Sequence, residues 1–188
     1  MRARAIALAA LLATASGASA GCLVLSLARF YDEAAVLVDD RLPGTWTNAD
    51  DNVTVTIERS EWRSYRLEYA HPVEKGQLTA YLFKTGPAGT AYLDLTPVRG
   101  QALGSFVVPA HALLRITITA DELTVAPLSF DWAVDGLTKR TLPPALAAFR
   151  GDRDQVLLGA SPAALQAWLA SVPAETPAFG PEAKFRKN

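Results

Sequence analysis

The chain is poor in the residues from which reactive sites are built. Its 188 residues hold one cysteine, one methionine and two histidines. A single cysteine excludes any disulfide within the chain, so no covalent framework staples the fold even on the oxidising side of a membrane. The net charge is −1 and the basic residues form no run, which argues against nucleic acid, whose phosphates demand a positive footprint. His71 and His111 stand in separate segments, without the close spacing of a metal centre. There is no Gly-x-Ser-x-Gly elbow, phosphate-cradling loop or Gly-x-Gly-x-x-Gly stretch. These absences point away from catalysis and from bound cofactors or metals.

What is present begins at the N-terminus. Arg2 and Arg4 form a short positive region, residues 6–15 are apolar, and residues 16–21 are small. That order is a secretory leader. It ends at Ser19-Ala20-Gly21-Cys22, the pattern at which a bacterial lipoprotein is acylated and cut. Ser19 stands where leucine is usual. Residues 6–28 carry no charge and are also long enough to span a bilayer, but the small residues before Cys22 fit a cleaved leader better. Thioether-linked lipid would consume the lone thiol, and several acyl chains on one residue hold firmly where one does not. Leu23 rather than aspartate follows the cysteine, so the expected location is the cell envelope, at the outer membrane and facing the periplasm.

Four segments follow from this reading: a lipoprotein signal peptide over 1–21, a lipid-anchored lead-in over 22–41, a β-barrel with a C-terminal helix over 42–173, and an extended tail over 174–188. From Trp46 to Val125 the pattern has period two. Val53, Val55 and Ile57 alternate with Thr54, Thr56 and Glu58, and Tyr65, Leu67 and Tyr69 with Arg66 and Glu68. Leu78, Ala80 and Leu82, then Ala91, Leu93 and Leu95, then Leu114, Ile116 and Ile118, repeat the alternation. Such strands bury one face and wet the other. Short links between them favour antiparallel neighbours, and a long meander removes its sticky edges by closing on itself. The fold class expected is therefore all-β: an antiparallel meander closing into a lipocalin-like barrel. A long loop is expected over 97–111. A short helix capped by Ser129 is expected near 130–137, and 145–150 with 155–158 read as a hairpin. Ser161-Pro162 opens a second helix, whose Leu165, Trp168, Leu169 and Val172 share one face that plugs the barrel.

Gly44-Thr45-Trp46, at the head of the first strand of this meander, resembles the Gly-x-Trp signature of lipocalins. The resemblance implies that Gly44 and Trp46 close one end of the barrel, with the Trp beside a basic side chain from late in the chain; Arg115, Arg140 and Arg186 are the candidates. Leu42-Pro43-Gly44-Thr45-Trp46, Tyr92-Leu93-Asp94-Leu95, Pro109-Ala110-His111, Asp131-Trp132 and Leu158-Gly159-Ala160-Ser161-Pro162 are also similar to a family of uncharacterised bacterial lipoproteins. That similarity implies an anchor and a fold, and transfers no activity.

Tyr81, Phe83, Tyr92 and Asp94 share the second face of their strands. Turned inward they line a ligand cavity; turned outward they form an exposed patch for a partner or membrane surface. Asp94 lies opposite Leu93 and Leu95, where an outer or hydrogen-bonded structural role outweighs acid–base work. His111 reads as a backbone-bonded residue at a strand start, and His71 as an exposed turn residue. The expectation is a non-catalytic module binding a small apolar ligand, held to the membrane by lipid on Cys22. The alternative is a structural or assembly partner in the envelope, with a filled barrel and no ligand.

Overall fold

The computed structural model describes residues 23–86, 89–98, 109–151, 155–173 and 175–188. The expected leader, Cys22 and most of the expected 97–111 loop lie outside the described residues. The strands are β1 (Leu23–Ser26), β2 (Val36–Leu37), β3 (Gly44–Asn48), β4 (Val53–Arg59), β5 (Ser64–His71), β6 (Glu74–Thr85), β7 (Thr90–Pro97), β8 (Ala112–Ile118), β9 (Glu122–Pro127), β10 (Ala148–Arg150), β11 (Gln155–Leu158) and β12 (Ala183–Lys187). Two short helices, α1 (Phe130–Lys139) and α2 (Pro162–Ser171), follow β9 and β11.

Strands β3 to β9 run as an antiparallel meander, and β12 slots between β3 and β9. Pairing of β6 with β7 completes a closed ring of eight strands, to which β2 adds on β6. The all-β barrel expected from the alternation is the fold that forms. Closure leaves no free edge in the ring, which is its physical advantage over an open sheet of the same strands.

The alternation sets the inner wall. Val53, Val55, Ile57, Tyr65, Leu67, Tyr69, Leu78, Leu82, Leu93, Leu95, Leu114 and Ile116 join one cluster with Trp46, Leu123, Val125 and Phe185. Trp46, Tyr65, Ala80 and Leu95 expose none of their surface, and Leu67, Tyr69 and Leu78 only 2%. Eight strands enclose just enough room for side chains, and here side chains occupy it.

A second cluster covers the outer wall of β6 to β9. Phe83, Tyr92, Leu113, Ala126 and Leu128 lie under Phe30, Tyr31 and Val36 from the lead-in, Val156 and Leu158 from β11, and Leu165, Trp168 and Leu169 from α2. Two expectations change. The apolar face of α2 packs on the barrel's flank, with Trp168 stacked on Trp132 of α1 at 5.7 Å, so it is no end plug. The 174–188 segment is no free tail, since it supplies the strand that closes the ring. Its prolines and alternating charges mask a pattern of only two inward residues, Ala183 and Phe185.

Both helices start as expected. Ser129 caps α1 through the Trp132 amide and Ser161 caps α2 through the Ala164 amide, with Pro162 in the first turn. The hairpin also forms, as β10 with β11, and β1 adds to it in parallel to make a separate three-stranded sheet.

Removal of residues 183–188 is therefore expected to expose the facing edges of β3 and β9 together. The shortened chain should lose its cooperative urea transition and sediment as aggregates; an unchanged sharp transition would mean that β12 is dispensable.

Candidate functional site

One end of the barrel is sealed around Trp46, which is fully buried and donates from Nε1 to the Leu42 carbonyl at 2.9 Å. The basic side chain over its ring is Lys187, with Nζ 4.9 Å from the ring centroid. Nζ also donates to the Arg41 carbonyl at 2.8 Å, tying the last strand to the lead-in. The three arginine candidates lie elsewhere. Arg115 sits over Phe179 on the outer wall, Arg140 ends α1 in a left-handed conformation, and Arg186 points to solvent from β12.

Gly44 explains the small residue two places before the Trp. Its φ is +140°, and a Cβ there would stand 2.5 Å from Cε of Lys187. Glycine thus leaves the passage through which the lysine stem reaches the indole. Beside this seal, Arg41 grips Asp39 with its guanidinium and amide, and holds that carboxyl down at about 2. Arg41 also reaches the Ile118 carbonyl, and the Asp39 amide donates to the Tyr65 hydroxyl at 2.8 Å.

A second constellation lies on the outer wall. Strand register turns Tyr81, Phe83, Tyr92 and Asp94 outward, away from the barrel interior. They neither line an interior cavity nor form an exposed patch, because the lead-in and the C-terminal elements lie over them. Phe83 stacks on Tyr92 at 5.5 Å, and Tyr31 from the lead-in sits 4.8 Å from the Tyr81 ring. Burial pushes the Tyr31 and Tyr92 hydroxyls above the usual tyrosine range.

Asp94 is the centre of this region and is fully buried. Its Oδ2 accepts from the Phe30 amide at 2.7 Å, and its Oδ1 lies 2.7 Å from Nδ1 of His111. His111 in turn exchanges both backbone hydrogen bonds with Ser26, each 2.8 Å. The carboxylate thus joins a barrel strand, the residue that opens the next strand, and the lead-in. Sequence reasoning gave Asp94 an outer or hydrogen-bonded structural role, left open which way its face turns, and read His111 as backbone-bonded, but did not bring the two together. The signal available was weak: a polar residue at an outward position of an apolar strand, and a histidine just before the strand that follows it.

Tyr69 is the remaining singular group. Its hydroxyl is, among the described residues, the one buried side-chain polar atom without a hydrogen-bond partner. Burial, with Glu74 beside it, pushes its pKa up to about 12. Its ring lies over Gly76, its cross-strand neighbour, where a Cβ would stand 2.5 Å from the ring.

Asp94 and His111 form a dyad of the kind that orients a general base, but no hydroxyl or thiol nucleophile is hydrogen-bonded to the histidine among the described residues. No group of three metal-binding side chains converges among the described residues either. His71 accepts from the Val73 amide within its turn. Compared with known proteins, the chain matches no family model, no curated protein and no solved structure.

Two measurements check this reading. Gly44→Ala should cost on the order of 1–3 kcal/mol of stability, and pairing it with Lys187→Ala should recover part of that loss, because the clash is with the lysine stem. Strict additivity in this cycle would disprove the account. Asp94→Ala strands the Phe30 amide and the His111 ring and should cost roughly 2–4 kcal/mol, with faster amide hydrogen exchange across residues 24–37. Unaltered exchange there would show that Asp94 does not secure the lead-in.

Proposed function

We propose that the protein is a non-catalytic module of the bacterial cell envelope, anchored by lipid on Cys22, whose filled barrel serves as a structural or assembly partner. The observation that carries this choice is the packed interior. A barrel that takes an apolar ligand needs an open cavity of several hundred Å³. The inward Trp46, Tyr65, Leu67, Leu78 and Leu95 instead close on one another. The packed interior therefore favours the filled-barrel alternative over the ligand-binding one.

Two further features support the reading. Trp62 stands 58% exposed at the β4–β5 turn, with a left-handed backbone (φ +57°), 6.0 Å from Tyr81 and under the Arg63 guanidinium. An exposed aromatic beside arginine is the composition that protein interfaces favour. Among the described residues no helix is long and apolar enough to cross a membrane, and acylation at Cys22 supplies an attachment that needs none.

The test has two arms. Residues 23–188, purified from the host's own periplasm, should give a native mass of the chain with a co-purifying protein and no lipid-sized adduct, and no saturable signal with an apolar naphthylamine fluorophore. A retained lipid-sized mass, or one fluorophore bound per chain, would restore the ligand-binding reading. In the full chain, Cys22→Ser should move the protein out of the membrane fraction. Retention there as firm as that of the parent would remove the anchor from the account.

A further inference from the structure

We draw no further inference here: the strongest candidate, the surface patch that Trp62 and Arg63 form at the β4–β5 turn beside Tyr81, belongs to the partner surface already proposed above, and nothing in the structure shows what covers it.

Discussion

The barrel wall from β6 to β9 is apolar on both sides, and the rest of the molecule is arranged around that constraint. Leu82, Leu93, Leu95, Leu114 and Ile116 point inward, while Phe83, Tyr92, Leu113 and Ala126 point outward. A half-buried antiparallel sheet normally wets one face. Here the outer face needs a cover, and the lead-in, the small three-stranded sheet, both helices and Phe179 provide it. β3 to β5 show the contrast: Thr45, Thr54, Thr56, Glu58, Arg66 and Glu68 face outward and stay in water's reach.

Burying that outer wall under a cover also buries Asp94, and a buried carboxylate is costly unless its lone pairs are used. The Phe30 amide and the His111 ring use them. The same interaction that satisfies Asp94 secures the lead-in over Tyr81, Phe83 and Tyr92. Polar satisfaction and coverage of apolar surface are therefore one arrangement, with Asp94 at its centre.

The sealed end follows a similar logic. Trp46 stops the barrel, the Leu42 carbonyl accepts a hydrogen bond from its indole N–H, and Lys187 lies across its face. A cation over an indole contributes roughly 0.5–1 kcal/mol where solvent still reaches it. Its larger consequence is topological, because Lys187 ends the strand that closes the ring and holds the carbonyl of Arg41 from the lead-in. Gly44 is required because the lysine stem occupies the space a side chain would take.

By itself the sequence left the outward turn of the Asp94 face to the tertiary structure, and determined the strands, which residues alternate on their two faces, both helix starts and the hairpin of β10 with β11. These are local properties: a period of two, an N-cap serine, a proline in a first turn. It also carries the apolar N-terminal segment and Cys22, which raise an expectation about processing rather than about shape. Only the tertiary structure decided that β12 lies between β3 and β9, that Lys187 rather than an arginine meets Trp46, and that Asp94 reaches His111. Each of these joins residues whose separation exceeds any local repeat, across loops whose length sets no register. It also decided that Tyr81, Phe83 and Tyr92 are covered. Periodicity states which residues share a face, but not what lies on it.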